Sequence, residues 1–466
     1  MKLTIPLKKI HFIGIGGIGM SAIAEMLREL GVCVQGSDAK ESANTIRLTK
    51  EGIKVFIGHD AKNIMGADAI VISSAIKPDN PELLAAQKTG LPIGHRSEML
   101  AEILRYKQSI CVGGTHGKTT TSSIIASILM EANLKPSFII GGILNSHKSN
   151  ARLGRGNHVV VETDESDGSF LRLPTNISVV TNIDPEHMEY YKTFDTVKAA
   201  YTLFIEKTSF YGFTVACADH PVVRDVIAKI NGRKIITYGF DKSADVHADH
   251  LRLVKGITVF DVFVRQKNQK FLKIKDVSLS MLGRHNVSNA LAAIAVALQL
   301  GIKESTIKKA LLKFEGIQRR LTKRGCAGDV CIFDDYAHHP TEINACLASV
   351  KESTKGKVVA VFQPHKYTRF HDLWSEFLTC FSKADTVVVC DVYAAGEPAI
   401  DGVSKEKFAR ALSKKHADVH ILTDFDALPG LIKKMTRGGD NVVCLGAGSI
   451  TAHATALPKA LKALKG

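Results

Sequence analysis

Gly113-Gly114-Thr115-His116-Gly117-Lys118-Thr119-Thr120 follows the apolar run Ser109–Val112 and opens a stretch with helical spacing through Leu129. A strand that runs into glycines and then a helix gathers several backbone N–H groups around one concavity, where the helix dipole adds positive potential. Lys118 can reach a phosphate oxygen there, and Thr119 supplies a hydroxyl oxygen suited to Mg²⁺. The spacing departs from GxxxxGK[ST] because Val112 stands where its first glycine would be, so the segment reads as a shortened P-loop that grips ATP. A glycine-rich turn with a solvated lysine is the bland alternative, and the strand–loop–helix context weighs against it.

Working outward from this loop, strands alternate with helices, which implies parallel sheets with crossover helices. On the N-terminal side, Lys9–Gly14, Val32–Gly36 and Ala69–Ser73 have strand patterns, and Met20–Leu30 a helical one. On the C-terminal side, His158–Val161 and Ile177–Thr181 are strands that end in acidic residues. Between about Asp245 and Leu282 the pattern changes to short alternating strands, Ile257–Arg265 and Phe271–Leu279, an expected antiparallel insertion. A buried helix over Asn289–Leu300 follows, ended by Gly301. A third block starts near Gly316, with strands at Val330–Phe333, Val358–Phe362, Thr386–Cys390 and Asn441–Leu445. The expected domains are 1–106, 107–315 and 316–466, which suits 466 residues, too many for one ordinary core.

Composition narrows the class. Hydrophobic residues at 45% and charged residues at 23% describe a globular chain. Lys8 and Lys9 precede an apolar stretch too short for a secretory signal. The longest strongly apolar segment, Ala290–Leu298, falls short of the ~20 residues that span a bilayer. The nine cysteines contain no CxxC pair, and most, Cys331 among them, sit in apolar strand-like runs. They read as small buried hydrophobes of a reducing compartment, and the expected location is the cytoplasm. The net charge of +15 is scattered, with no stripe of basic and aromatic residues to read nucleic acid; attraction for anionic small substrates is equally consistent with it, and lysines that merely solvate helix faces account for most of it. Neither nucleic acid nor a membrane is expected as a partner.

Acidic residues crowd the strand ends as Glu162-Thr163-Asp164-Glu165-Ser166-Asp167 and Asn182-Ile183-Asp184-Pro185-Glu186-His187. In open α/β sheets ligands gather at the carboxyl ends of the strands, and a metal on a triphosphate needs only one or two protein oxygens. Beside Lys118 these acids read as metal-binding and nucleophile-positioning groups. Near the N-terminus, Gly14-x-Gly16-Gly17-x-Gly19 with Asp38 satisfies a dinucleotide fingerprint. Alone it would mean an NAD-linked oxidoreductase; beside an ATP loop it means a nucleotide-linked substrate. Gly283-Arg284-His285-Asn286, Asn289, Arg319-Arg320, Asp334-Asp335-Tyr336-Ala337-His338-His339 and Gln363-Pro364-His365-Lys366-Tyr367-Thr368-Arg369 add amides suited to adenine and arginines suited to phosphate or carboxylate.

IHFIGIGGIGMS, SSAI, GGTHGKTTT, ETDESDGSF, TNIDPEHMEYY, GRHNVSNALAA, FDDYAHHPTE and QPHKYTR occur in an order that resembles the Mur ligase superfamily over essentially the whole chain. The resemblance implies a three-domain α/β enzyme with a Rossmann-like N-terminal domain and a Rossmann-like C-terminal domain. Its central domain would be a P-loop-type ATPase carrying the antiparallel insertion. It implies ATP and Mg²⁺ as cofactors and an amide-forming reaction of peptidoglycan precursor synthesis, in which L-alanine joins the lactyl carboxylate of UDP-N-acetylmuramate through an acyl phosphate. The chain would be a monomer or weak homodimer, with these small molecules as its partners.

Carried over by motif, the resemblance gives the Gly113–Thr120 loop and Lys118 to the ATP phosphates, Thr119 and Glu162 to a first Mg²⁺, and His187 to a second. It gives His285, Asn286 and Asn289 to adenine, Arg320 to the γ-phosphate, and Asp334 and Asp335 to the ribose. The UDP portion falls to Gly16, Gly17, Ile18, Gly19, Asp38, His59, Ser73, Ser74 and Arg96. The amino acid falls to His365, Lys366 and Arg369, with Tyr336 and His338 close by; His338 and His187 are candidates for the base. Lys366 stands where relatives commonly have arginine, and Ala337 where glycine is usual. Ala199-Ala200-Tyr201 occupies the region where several sibling ligases carry a carbamylated lysine. The alternatives are a tripeptide-adding ligase on the same UDP-sugar, the oxidoreductase, and a non-catalytic nucleotide switch.

Overall fold

A computed structural model describes residues 7–254 and 256–464, and their strands form three sheets. The first has five parallel strands, β1 (Lys9–Ile13), β2 (Cys33–Asp38), β3 (Lys54–Ile57), β4 (Ala69–Ile72) and β5 (Ile93–His95), in the order β3-β2-β1-β4-β5. Ile10, Phe12 and Ile13 of the middle strand are fully buried, as a parallel strand covered on both faces requires. The strand order reverses at β1, so a crevice opens at its carboxyl end beside Gly14–Gly19.

This domain carries a charge in its core. Glu82 is fully buried and accepts hydrogen bonds from Ser37 Oγ (2.5 Å) and Asn63 Nδ2 (2.6 Å), with His11 Nε2 and His59 Nδ1 each at 3.4 Å. Burial alone would raise its pKa, but the donors from His11, Ser37 and Asn63 outweigh it and hold the carboxyl at about 2. Gln35 Nε2 lies 3.2 Å from His11 Nδ1 and donates to Asn63 O, so the proton of a neutral His11 belongs on Nε2, facing Glu82.

The central sheet has ten strands. Its parallel heart is Phe213–Cys217, Ile177–Val180, Gln108–Gly113, His158–Glu162 and Ser137–Leu144, with Gln108–Gly113 in the middle. Val246–Val254, Ile257–Arg265 and Phe271–Leu279 extend it in sequence order. Val246–Val254 joins Ile235–Gly239 in parallel, and the loops between the three extension strands are too short for parallel crossovers, so these three run antiparallel to one another as the expected insertion. The helix expected over Asn289–Leu300 spans Arg284–Gln299 instead, because the polar Arg284-His285-Asn286 forms its first turn.

The third sheet runs Thr322–Ala327, Val330–Asp335, Asn441–Leu445, Val358–Phe362, Thr386–Val389, Val419–Ile421, antiparallel only at the first pair. Here one sequence expectation is corrected. Cys326 and Cys331 lie opposite each other in that antiparallel pair and form a disulfide, whereas Cys331 was expected as a reduced apolar filler. The signal lay in strand pairing rather than in CxxC spacing.

The chain divides into two compact units. One holds residues up to Leu251, Phe260–Ser278 and Ser288–Glu315; the other holds Arg252–Val259, Leu279–Val287 and everything from Gly316 onward. Among the described residues, no helix is long and apolar enough to cross a membrane. Glu82→Ala strands several buried donors, and we expect it to lower unfolding free energy by about 3 kcal/mol, read from denaturant unfolding.

Candidate active site

The phosphate loop is shaped by its neighbours. The helix Lys118–Glu131 starts at Gly117, whose φ of 82° lies in the left-handed region, and no side chain caps it. A Cβ on Gly117 would meet Asn289 Oδ1 at 2.5 Å, so both conformation and space require glycine. The segment after Ile177–Val180 clamps the loop: His116 N donates to Asn182 Oδ1 (2.7 Å), Asp184 N to Thr115 Oγ1 (2.8 Å), and Thr181 Oγ1 to His116 O (2.6 Å). Thr181, Asn182 and Asp184, read from sequence with the metal-binding acids, therefore brace the loop.

Lys118 Nζ donates to Glu165 Oε1 at 2.7 Å and folds back on the carbonyls of Gly114 (2.5 Å) and Thr115 (3.1 Å). Burial works against the ammonium, but the attraction of Glu165, and of Glu162 and Glu186 beyond it, holds its pKa above the ordinary lysine value. Thr119 Oγ1 donates to Glu162 Oε1 (2.9 Å), and Gly141 N donates to Glu162 Oε2 (2.6 Å). Thr119 and Glu162 are thus together, as expected. His187 stands elsewhere: its ligand atom groups with those of Glu165 and Glu186, all within 4.8 Å of one another. Glu165 Oε2 is buried with no hydrogen-bond partner among the described residues, so the donor set fits a cation. His187 also has a left-handed φ of 57°, a strained conformation for a non-glycine residue. Glu165 and Glu186 were visible in sequence only as members of acid clusters.

The acid cluster splits in two. Asp164 and Asp167 turn away from the loop: Arg96 Nη2 donates to Asp164 at 2.6 Å and Ser74 Oγ to Asp167 at 2.5 Å. Burial raises both acids, yet serine hydrogen bonds and Arg96 bring their pKa values below the ordinary aspartate range. Arg96 and Ser74, expected at the UDP portion, thus bond to carboxylates one and two residues along from Glu165, the Lys118 partner. In the N-terminal crevice, Asp38 Oδ2 accepts from Gly16 N (2.8 Å) and His59 Nδ1 lies 3.1 Å from Ser37 Oγ. Gly17 caps the helix Ile18–Glu29 without a side-chain hydrogen bond, and Ser73 and Ser74 follow β4.

The second unit holds the remaining candidates. Asp335 Oδ1 accepts from Ala337 N and Oδ2 from Leu321 N, both at 2.7 Å; burial still raises this carboxyl to about 6. Asp334 is fully buried and bonded to Arg324. Arg320 lies 3.8 Å from Glu342 and 5.6 Å from the Tyr336 ring centre, and His338 Nδ1 lies 3.0 Å from Tyr336 O and 3.6 Å from Glu342. His285 is exposed in the first turn of Arg284–Gln299, with Nδ1 3.4 Å from Ser349 Oγ. Asn286 Nδ2 donates to Leu282 O (2.8 Å); in the other unit, Thr121 Oγ1 donates to Asn289 Oδ1 (3.2 Å). Arg369 Nη1 donates to His365 Nδ1 (3.2 Å), while Lys366 pairs with Glu397 at 3.6 Å. Glu342 and Glu397 neutralise the basic groups here; Glu342 closes the FDDYAHHPTE run but was given no role, and Glu397 was missed because a glutamate in a loop carries no motif.

Three family models match in order: the Mur ligase family catalytic domain over residues 9–108, the Mur ligase middle domain over 112–297, and the Mur ligase glutamate ligase domain over 319–448. The chain is 51% identical over 466 residues to the UDP-N-acetylmuramate–L-alanine ligase of a Bradyrhizobium species, covering 100% of both chains. Against the same-named enzyme of Agrobacterium fabrum it is 50% identical over 468 residues, covering 100% of this chain and 99% of that one. The crystal structure of a UDP-N-acetylmuramate–alanine ligase from Thermotoga maritima superposes with a TM-score of 0.82 at 28% identity, covering 98% of this chain and 99% of that one. A murein peptide ligase from Psychrobacter arcticus shares the fold, with a TM-score of 0.70 at 24% identity over 98% of this chain and 99% of that one. The chain belongs to the Mur ligase family of ATP-dependent, amide-bond-forming ligases.

Proposed function

We propose that this chain joins L-alanine to the lactyl carboxylate of UDP-N-acetylmuramate, using ATP and Mg²⁺, with domains at 1–106, 107–315 and 316–466. The observation that carries the reading is the loop Gly113–Thr120 with Lys118 flanked by Glu162, Glu165 and His187, in a chain 51% identical over its whole length to ligases of that name. The oxidoreductase reading rested on the glycine turn alone and leaves this cluster without a use.

In the proposed reaction a lactyl carboxylate oxygen attacks the γ-phosphorus of ATP and ADP leaves, giving an acyl phosphate. The amine of L-alanine then attacks the acyl carbon, and the tetrahedral intermediate expels inorganic phosphate. The first step turns a poor leaving group into a good one; the rest is positioning and charge neutralisation. Lys118 binds the β/γ-phosphates, which requires it to leave Glu165. Thr119 and Glu162 would hold one Mg²⁺ and His187 would help to hold a second, with Glu165 and Glu186 adding charge beside it; ions held there would supply charge neutralisation of phosphoryl oxygens. His285, Asn286 and Asn289 hold adenine, Asp335 the ribose, and Arg320 the γ-phosphate. Gly16, Gly17, Ile18, Gly19, Asp38, His59, Ser73, Ser74 and Arg96 hold the UDP portion. His365 and Arg369 hold the alanine carboxylate beside Tyr336 and His338. Lys366 reaches that carboxylate only by giving up Glu397, so it contributes less than Arg369.

The test is phosphate release with ATP, Mg²⁺ and UDP-N-acetylmuramate, comparing L-alanine, glycine, L-serine and a tripeptide. Release that needs both the sugar nucleotide and L-alanine is expected; release favouring the tripeptide moves the chain to the recycling reaction, and no release contradicts the reading. Arg369→Ala is expected to raise the KM for L-alanine about tenfold or more, with the KM for ATP unchanged; the same assay reads both.

A further inference from the structure

Tyr336, His338 and His365 stand in one aromatic row of the second unit, and the row has a fourth member. Ring centres are 5.2 Å apart for Tyr336 and His338, 5.8 Å for His338 and His365, and 5.7 Å for His365 and Tyr393. The first three are the residues given above to the amino acid. Tyr393 lies in the loop after Thr386–Val389 and belongs to none of the motifs read from sequence.

Its contact differs from the others. The Tyr393 and His365 rings are inclined by only 12° with centres 5.7 Å apart, an offset stack in which the phenol borders one face of the imidazole, whereas His338 meets His365 edge to face. His365 Nδ1 accepts from Arg369, and a guanidinium only donates, so the imidazole proton sits on Nε2. Burial and the nearby cationic groups push His365 down to about 4 and keep the ring neutral. Arg369 therefore fixes the proton position, and Tyr393 fixes the plane in which the Nε2–H points.

Tyr393 is itself held to the segment it covers. Its N donates to Pro364 O (2.8 Å) and its O accepts from Lys366 N (2.9 Å), one stitch on each side of His365. Glu397 adds a third by accepting from Thr368 N (3.1 Å) and Thr368 Oγ1 (2.9 Å). On the other side a Cβ at Gly448 would stand 2.5 Å from Tyr393 Cγ and 2.6 Å from Gln363 Oε1. Gly448 has no left-handed φ, so glycine there serves the close approach of the tyrosine. Tyr393 nevertheless remains 42% exposed, which leaves part of it open to a ligand.

We infer that Tyr393, packed against Gly448, is a positioning and specificity residue for the amino-acid substrate: it orients His365 and walls the space beside it. The inference rests on the proposed assignment of His365 and Arg369 to the amino-acid carboxylate. A carboxylate held by those two groups brings the substituent on its α-carbon next to whatever borders them, and a rigid aromatic wall favours a methyl over a longer side chain.

The full-length enzyme is assayed for phosphate release at saturating ATP and UDP-N-acetylmuramate with L-alanine, L-2-aminobutyrate and L-valine. Tyr393→Ala is expected to raise the KM for L-alanine about tenfold while kcat changes less than about threefold. The kcat/KM of the two longer amino acids relative to L-alanine is expected to rise, with the KM for both nucleotides unchanged. Tyr393→Phe keeps the ring and restores the wild-type values, and Gly448→Ala, which displaces the ring, reproduces part of the Tyr393→Ala pattern. A Tyr393→Ala enzyme with an unchanged KM for L-alanine and an unchanged side-chain preference overturns the proposal, as does a Tyr393→Phe enzyme as impaired as Tyr393→Ala. Wild-type enzyme with no amino-acid-dependent release instead contradicts the proposed function, and the ¹⁵N shifts of the His365 imidazole then test the positioning separately. They should report the Arg369-fixed Nε2–H tautomer in both proteins, with the ring signals broadened in Tyr393→Ala by exchange between ring orientations; identical spectra overturn the positioning role.

Discussion

The ion pair between Lys118 and Glu165 is the interaction on which the rest of the site depends. A largely buried ammonium without a partner would deprotonate or unfold the loop, so Glu165 keeps the lysine charged where the proposed reaction needs it to meet phosphates. The same loop segment carries Asp164 and Asp167, which hold Arg96 and Ser74 at the edge of the N-terminal crevice. Two cations proposed to meet anionic ligands are thus held by neighbouring carboxylates on one short stretch of chain. In the proposed reaction a triphosphate would compete for Lys118 with a group already in place, which limits the net gain from that contact but spares the enzyme an uncompensated charge.

The second unit solves a different problem. Its ligand in the proposed reaction is a zwitterion, and the unit presents a neutral imidazole beside its arginines rather than a dense positive patch. His365 is kept uncharged by burial and nearby cations, and Glu342 and Glu397 neutralise Arg320 and Lys366. Hydrogen-bond direction therefore does much of the selecting there.

Much of this was legible in the sequence, for physical reasons. The Val- and Ile-rich runs at Ser109–Val112, Val159–Val161 and Val358–Phe362 announced parallel strands buried on both faces, and the glycines after Val112 announced the turn. The short alternating strands after Asp245 gave the insertion away. What stayed hidden depended on pairing across the fold. The Cys326–Cys331 bond follows from strand register, the division of Glu162, Asp164, Glu165 and Asp167 between two ligand sites from the way one loop turns, and the partnership of Tyr393 with His365 from two loops meeting. The fully buried Glu82 was hidden too, because a glutamate at the start of a helix normally faces water.

The central claim, that Gly113–Thr120 with Lys118 is the ATP site, is tested most directly by calorimetric titration of the β,γ-imido analogue of ATP, with Mg²⁺, into wild-type protein and Lys118→Ala. Loss of the lysine should weaken nucleotide binding at least about tenfold while leaving UDP-N-acetylmuramate binding unchanged, since one charge-assisted phosphate contact is removed and the N-terminal crevice is untouched. Equal affinity of the two proteins for the ATP analogue would contradict the account.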